Sequence, residues 1–330
     1  MLDKQIIFKI IDNKIYNLDY NIFTLDGLIT NTELRTLISA LKINKSLNNI
    51  NLYGNFFINN KYKKFPFLTI NYKINSITYD EYYIDRINDT HFPFRVNNLY
   101  SILNNKINIY NLNLILNNKD DKNDLITFLK NNNHIINLNI SINNNIDNLI
   151  DIFNFNNNIQ SLSLSKIKYN LNLQYINIDK LAETIKNSSL LNLYITDINI
   201  INIDNFFEAL KFNNKLTILK LTNNNINNID KLSESLKENK TLHSLYLNDN
   251  KINNIDKLIY SLKENNTLQF INLSYNNISD INIDELIEVL KNNNSLKFLD
   301  LTGNGNNIKD IYKDKIYNLK LLKPTLRIYF

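Results

Sequence analysis

Residues 216–224 read LTILKLTNN, and the same pattern returns as LHSLYLNDN at residues 242–250, LQFINLSYN at 268–276 and LKFLDLTGN at 296–304. Leucine or isoleucine occupies the first, fourth and sixth positions of each copy, and asparagine occupies the ninth. The steps between copies are 26, 26 and 28 residues. Self-similarity at a step of this size is typical of repeat proteins, in which each copy is one structural unit.

Five weaker copies extend the pattern toward the amino terminus, with isoleucine replacing some leucines. Their first, fourth, sixth and ninth positions are Leu190, Leu193, Ile195 and Ile198; Ile159, Leu162, Leu164 and Ile167; Ile135, Leu138, Ile140 and Asn143; Ile109, Leu112, Leu114 and Asn117; and Leu47, Ile50, Leu52 and Asn55. Nine copies in one frame predict a chain built mostly from one kind of unit.

The second half of each unit carries apolar residues four positions apart, as in Leu232 and Leu236, and this spacing is helical. An aspartate opens each helical segment, where we expect its carboxylate to accept the free N–H groups of the first turn. These residues are Asp179, Asp204, Asp230, Asp256 and Asp284. Asn239, Asn265 and Asn293 end three helices, where we expect the left-handed backbone that asparagine tolerates.

Strand, loop and helix therefore alternate along the chain. Parallel strands joined by helical crossovers stack into a curved α/β solenoid, with the sheet on the concave face and the short helices on the convex face. The strand aliphatics of each unit are expected to form a continuous core with the helix leucines.

The repeat resembles the leucine-rich repeat family, and LKENKTL at residues 236–242 and LKENNTL at 262–268 are similar to its ribonuclease-inhibitor-like class. The resemblance covers residues 105–305 closely and 15–55 loosely. It implies a horseshoe-shaped solenoid with a helical convex face. It also implies a function in binding other proteins, because members of the family share no single catalytic site.

We expect four regions along the chain. Residues 1–55 form an amino-terminal cap and first repeat, and residues 106–307 form the regular leucine-rich repeats. Residues 308–330 form a carboxy-terminal cap, since terminal repeats are atypical. Residues 56–105 are rich in aromatics and irregular, and they are either degenerate repeats or a functional insertion.

Composition excludes several kinds of site. The chain has no cysteine, four glycines and three widely separated histidines, His91, His134 and His243. It therefore lacks thiolates and disulfides, and it has little material for a phosphate-binding loop, acid–base catalysis or a metal site. We expect a protein that is not an enzyme and that uses no cofactor or metal.

Charge and hydropathy limit the partners. The net charge is +5, and basic and acidic residues are spread along the chain, so no basic face for nucleic acid is predicted. No apolar run suits a membrane span, and no signal peptide is evident. We therefore expect an intracellular, cytoplasmic monomer. The excess of asparagine and isoleucine is what codon drift in an AT-rich genome produces, and it says little about function.

Two sets of side chains are candidates for special roles. The ninth-position amides can satisfy backbone groups where the chain turns, and we expect a structural ladder of Asn224, Asn250, Asn276 and Asn304. Alternation along the strands places a second set on the concave face, where exposed aromatics beside charges are typical of a binding surface. This set is Tyr194, Lys220, Tyr246, Phe270, Phe298 and Asp300. The alternative is that these aromatics only pack on one another across the sheet.

The sequence thus favours a noncatalytic scaffold that binds a protein partner of unknown identity on its concave face. The alternative is a regulatory protein, either a GTPase activator or a ubiquitin-ligase substrate adaptor, because the resemblance includes both. Arg35, Arg86 and Arg95 are the only arginines before Arg327, so an arginine that acts in trans on GTP is poorly supplied.

Overall fold

The computed structural model describes residues 17–21, 23–24, 27–28, 36, 39–40, 49–58, 61–71, 76–80, 110–116, 126–127, 129–131, 133–142, 156–166, 176–201, 203–279, 281–305 and 313–330. The chain forms two compact units, Met1–Asn144 and Asn145–Phe330.

The first unit contains helical residues at 36, 39–40, 126–127 and 129–131, and its other elements are β-strands. They are β1 (Asn17–Asn21), β2 (Phe23–Thr24), β3 (Gly27–Leu28), β4 (Asn49–Ile58), β5 (Lys61–Asn71), β6 (Ser76–Asp80), β7 (Asn111–Leu116) and β8 (Asn137–Ile142). β1 pairs with β4 in parallel, β5 pairs with β4 and β6 antiparallel, and β6, β7 and β8 are parallel to one another. β2 and β3 form a separate antiparallel pair.

The weak repeat at residues 47–55 takes a different form from the repeats after it. In the repeat pattern the ninth position follows the strand, but Asn55 lies within β4, opposite Lys64 of the antiparallel strand β5. The adjoining aromatic-rich residues up to Asp80 contribute β5 and β6. Antiparallel strands joined by two residues do not need a helical crossover, so this part of the chain departs from the strand–helix alternation.

The second unit alternates strands with short helices. Its strands are β9 (Ser161–Lys166), β10 (Ile176–Asn177), β11 (Asn192–Thr196), β12 (Ile200–Ile201), β13 (Ile218–Lys220), β14 (Ser244–Tyr246), β15 (Phe270–Asn272), β16 (Phe298–Asp300) and β17 (Arg327–Tyr329). Its helices are α1 (Asp179–Asn187), α2 (Asp204–Leu210), α3 (Asp230–Glu238), α4 (Asp256–Ser261), α5 (Ile283–Asn292) and α6 (Lys313–Leu322). β9, β11 and β13 to β17 form one parallel sheet in that order, and β10 pairs with β12.

The core of this unit is a column of identical positions from successive repeats. Leu219 pairs with Leu245, Leu245 with Ile271, and Ile271 with Leu299, and each of these side chains is at most 3% exposed. The helix leucines behind them, such as Leu232, are also buried. Each such side chain contributes about 2 kcal/mol of burial free energy, and no repeat buries its apolar face alone. The predicted α/β leucine-rich repeat solenoid, with a parallel sheet on one face and short helices on the other, is confirmed for this unit.

The predicted aspartate caps are wrong. Asp179, Asp204, Asp230 and Asp256 are the first helical residues, and the N-cap position before each is an isoleucine without a side-chain cap hydrogen bond. The asparagine two residues before the aspartate takes this role where its contacts are described. Asn228 Oδ1 accepts from the N–H of Asp230 at 2.7 Å, Asn254 Oδ1 accepts from the N–H of Asp256 at 2.8 Å, and Asn282 Oδ1 accepts from the N–H of Glu285 at 3.1 Å.

The left-handed conformation predicted at the helix ends is also wrong. Asn239 and Asn293 are extended, with φ of −68° and −74°. Their buried amides instead join successive repeats. Asn239 Nδ2 donates to the carbonyl of Leu210 at 2.7 Å, while its Oδ1 accepts from the N–H of Leu242 at 2.8 Å. The same arrangement recurs at four positions, here named the helix-end ladder: Asn213, Asn239, Asn265 and Asn293.

The ninth-position amides form a second set of inter-repeat bonds, the strand-end ladder of Asn224, Asn250, Asn276 and Asn304. Asn250 is 7% exposed. Its Oδ1 accepts from the N–H groups of Asn224 and Ile226, both at 3.0 Å, and its Nδ2 donates to the carbonyl of Leu221 at 2.8 Å. Besides Asn199 and Asn225, left-handed backbone occurs one residue before the ninth repeat position, at positions 197, 223, 249, 275 and 303. Only the last of these is a glycine, Gly303.

Candidate binding surface

Strand alternation gives the sheet of the second unit one face that packs on the helices and one that does not, named here the open face. Residues on either side of each buried strand aliphatic are half-buried, as the pattern of β13 to β16 shows. All six predicted surface residues lie on the open face and are half-buried: Tyr194, Lys220, Tyr246, Phe270, Phe298 and Asp300. Register pairs Tyr194 with Lys220, Lys220 with Tyr246, and Phe270 with Phe298.

Four rings from four adjacent strands form a continuous row, the aromatic ladder of Tyr246, Phe270, Phe298 and Tyr329. Ring centroids lie 4.6 Å apart between Tyr246 and Phe270, 4.3 Å between Phe270 and Phe298, and 5.4 Å between Phe298 and Tyr329. The central pair is stacked with an interplanar angle of 6°. The spacing follows from the sheet, because neighbouring strands lie about 4.8 Å apart.

The stacking determines which part of the rings another molecule can touch. Phe270 and Phe298 cover one another's ring faces, so their half-buried side chains meet solvent through their edges. Ring edges carry partial positive charge and attract carbonyl oxygens and the faces of other aromatics. The rings therefore contact one another across the sheet, as the alternative interpretation predicted. Each ring nevertheless keeps exposed surface, so packing does not account for all of it.

Charged and polar groups border the ladder. Lys220 Nζ lies 6.0 Å from the centroid of the Tyr246 ring. Asp300 Oδ1 accepts from the N–H and the hydroxyl of Thr302, at 3.0 and 2.8 Å, which fixes the carboxylate at the end of β16. Tyr194 lies beside Lys220, and burial, together with the nearby Tyr246, raises its pKa. Because a raised pKa favours the protonated phenol, Tyr194 is neutral at physiological pH.

The sequence reasoning missed two residues of this surface, Tyr329 and Arg327. Residues 308–330 were expected to be a cap, but β17 adds a further parallel strand to the sheet, paired with β16. Arg327 lies opposite Phe298, and Tyr329 lies opposite Asp300. The sequence feature that could have predicted this strand is the alternation of apolar and polar residues. Leu326 and Ile328 are apolar and buried, while Arg327 and Tyr329 are exposed.

The helix face of the same unit differs in character. Ion pairs join neighbouring helices, for example Lys231 with Glu208 at 3.0 Å and Lys257 with Asp230 at 2.7 Å. The hydrogen bond to Glu208 is the main cause that raises the pKa of Lys231. Exposed aromatics here stand singly: the Tyr260 ring lies between Lys237 and Lys263, whose Nζ atoms are 4.5 and 5.0 Å from its centroid. Such exposed pairs contribute little to stability.

Within the described residues, no group of three or more histidine or carboxylate side chains could hold a metal ion. His134 and His243 are exposed, and Nδ1 of His243 lies 2.6 Å from the carbonyl oxygen of Thr241. His91, Arg35, Arg86 and Arg95 lie outside the described residues. In the part of the chain that the structure covers, every helix is too short or too polar to cross a bilayer.

The repeats of the second unit define a leucine-rich repeat fold. No protein-family profile and no curated protein matches the chain. Among solved structures, the chain is similar to leiomodin-1 actin-binding site 2, with 25% sequence identity over 43% of this chain and 86% of that chain. The TM-score is 0.37, and a similarity at this level carries no argument about function.

Proposed function

We propose that this protein is a noncatalytic scaffold that binds a protein partner on the open face, centred on the aromatic ladder. The observation that supports this most is a row of half-exposed rings held by four adjacent strands of a rigid sheet. Aromatic side chains supply large contact areas at a low cost in conformational entropy, and they are enriched where binding energy is concentrated. The sheet fixes the backbone of every contributing residue before binding, which lowers that cost further.

The bordering groups supply orientation. Lys220 stands at one end of the ladder, and Asp300, held by Thr302, stands near the other. A partner segment with an acidic group near Lys220 and a donor near Asp300 would bind in one direction only. Between them the ring edges accept apolar and carbonyl groups. Tyr194 extends the surface beyond Lys220 with a neutral hydroxyl.

The test is affinity capture from the native host with quantitative mass spectrometry. Tyr246→Ala with Phe270→Ala is expected to abolish capture of the specific partner, because it removes two adjacent rings of the ladder. The matched control is Phe212→Ala with Tyr260→Ala, which removes two aromatics that are 62% and 50% exposed on the helix side. This control is expected to capture the partner as the unmodified chain does.

Calorimetry with the purified partner then measures the affinity directly, after far-ultraviolet circular dichroism has shown that both double variants are folded. Equal affinity of the two double variants would remove the aromatic ladder from the binding site. Loss of binding only in the helix-side variant would move the site to the other face.

A further inference from the structure

One asparagine of the strand-end ladder carries a reactive sequence. Asn304 is followed by Gly305, and none of the other glycines of the chain follows an asparagine. Asparagine is a thermolabile residue, because the backbone nitrogen of the next residue can attack its side-chain carbonyl carbon. A glycine in the next position assists this attack, since it has no Cβ to obstruct the approach and its backbone turns freely.

The packing of the repeats requires a glycine at position 305. A Cβ built on Gly305 would lie 2.7 Å from Cα of Ser279 and 3.0 Å from the carbonyl oxygen of Ile278, both in the preceding repeat. Any side chain here would have to displace that backbone. The reactive sequence is therefore a consequence of the close contact between these two repeats.

The folded repeat holds both reacting groups. The Gly305 N–H donates to the carbonyl of Ile278 at 2.9 Å. Asn304 Oδ1 accepts from the N–H of Ile278 at 3.1 Å, and Asn304 Nδ2 donates to the carbonyls of Leu273 and Leu301, both at 2.9 Å. Attack requires the glycine nitrogen to lose its proton and the carboxamide to turn toward it. Both changes break these hydrogen bonds, so the repeat must first open locally.

We propose that Asn304 is a modification site, at which opening of this repeat leads to a permanent chemical change. When the repeat opens, a bond forms between the Gly305 nitrogen and Cγ of Asn304. The bond from Cγ to Nδ2 breaks, and the side-chain nitrogen leaves as ammonia with the proton that Gly305 loses. Water then opens the resulting succinimide ring, which gives aspartate or isoaspartate.

Neither product fits the strand-end ladder. A carboxylate has no N–H to donate to the carbonyls of Leu273 and Leu301, and it places a negative charge against their two oxygens. Isoaspartate also adds a carbon atom to the backbone just before the close contact of Gly305 with Ser279. The modified repeat therefore closes less stably than the original one.

Peptide mapping by mass spectrometry tests the site in the full chain. Samples are held in mildly alkaline buffer with and without guanidinium chloride, and the conversion of residue 304 is followed over time. In denaturant, Asn304 is expected to convert fastest among the asparagines of the strand-end ladder. In native buffer its conversion is expected to be about 100-fold slower or more, because its own hydrogen bonds and that of Gly305 must break first.

Asn250 and Asn276 are matched controls within the same chain. The residues that follow them, Lys251 and Asn277, make the same backbone hydrogen bond to the preceding repeat, but neither is a glycine. Conversion of Asn304 at equal rates with and without denaturant would overturn the protection by the fold. Conversion of either control as fast as Asn304 in denaturant would overturn the assignment of the site to the Asn-Gly sequence.

A substitution tests the consequence separately. Asn304→Asp places one of the two products in the ladder, and it is expected to raise the equilibrium constant of unfolding about 100-fold in chemical denaturation. Asn277→Asp, the same change at an exposed position of the preceding repeat, is expected to alter this constant by no more than about twofold. Equal stability of the two variants would contradict the proposed loss. None of these measurements involves the partner proposed for the open face.

Discussion

Buried asparagine is the residue that most distinguishes this chain from an ordinary apolar core. Both ladders place an amide between successive repeats. Asn239 accepts from a backbone N–H of its own repeat and donates to a carbonyl of the preceding one, whereas Asn250 accepts from and donates to the backbone of the preceding repeat and also donates to Leu247 of its own. No other neutral side chain of that size offers two donors and an acceptor with two lone pairs. The amides satisfy backbone groups at both ends of the strand–helix unit, which would otherwise be buried without partners.

We expect Asn250→Ala to lower the free energy of unfolding by about 3 kcal/mol, measured by chemical denaturation. The change leaves the N–H groups of Asn224 and Ile226 and the carbonyl of Leu221 without their side-chain partner. Asn253→Ala, at an exposed position of the same repeat, is expected to change stability by less than about 0.5 kcal/mol. Similar losses in the two variants would contradict a structural role for the ladder amide.

The strand-end ladder was visible in the sequence because its asparagines recur in phase with the leucines. The helix-end ladder was visible only as a set of turn residues, because asparagine at a helix end has two physical uses. It tolerates left-handed backbone, and its amide can bond across repeats. Local pattern does not separate these uses, and only the neighbouring repeat decides between them.

At the scale of the element, the helices begin with a three-residue motif, Asn-Ile-Asp, at 177–179, 202–204, 228–230, 254–256 and 282–284. The isoleucine is buried in four of the five, as at Ile229 and Ile255, and its anchoring places the aspartate inside the first turn. The carboxylate there complements the helix dipole instead of accepting a cap hydrogen bond. Sequence reasoning misplaced the cap because aspartate and asparagine are equally good N-caps.

We expect Asn282→Ala to destabilise the protein by about 1 kcal/mol, since its Oδ1 caps α5 through the N–H of Glu285. Asp204→Ala, at the first turn of α2, is expected to cost about 0.5 kcal/mol through the helix dipole alone. Added salt distinguishes the two effects in thermal denaturation, because it screens the dipole interaction and leaves the neutral cap unchanged. An Asp204 variant with the larger, salt-independent loss would restore the aspartate cap.

The sequence predicts the strands of the second unit better than it predicts the contacts between side chains on neighbouring strands. The leucine phase predicts which residues reach the open face, and all six predicted residues lie there. The aromatic ladder depends on diagonal contacts between neighbouring strands, such as that of Tyr246 with Phe270. Strand register and side-chain rotamer together determine these contacts. Tyr329 escaped prediction because a single short strand after a proline carries no repeat with which to compare it.

On the scale of the whole molecule, periodicity predicts the unit Asn145–Phe330 well, and in the unit Met1–Asn144 it predicts the repeats at 109–117 and 135–143, whose strands β7 and β8 pair in parallel with Leu112 opposite Leu138. It predicts the rest of the first unit poorly. In the second unit, every strand from β13 to β16 repeats one register, so a prediction for one holds for the next. In the first unit, the antiparallel strands β4 and β5 pair through a shift in register between Leu52 and Tyr53. Such pairing depends on the partner strand and leaves no periodic trace in the sequence.

Because each repeat packs mainly on its neighbours, stability within the second unit is expected to vary along the chain. Hydrogen exchange should be slowest for the amides of β13 to β15, which have neighbours on both sides, and fastest for α6, whose Leu321 and Leu322 are exposed. Mass spectrometry of peptic fragments measures this gradient. Equal protection from β13 to α6 would show that this part of the unit unfolds in one cooperative step.

The single 28-residue step shows where the fold accepts added length. The helix aspartate follows the ladder asparagine by six positions in two repeats, from 224 to 230 and from 250 to 256, but Asp284 follows Asn276 by eight positions. The two additional residues do not disturb the sheet, since Phe270 still pairs with Phe298 in the common register. This loop is therefore a natural place to graft a peptide, a fluorophore attachment site or an epitope tag while the aromatic ladder keeps its spacing.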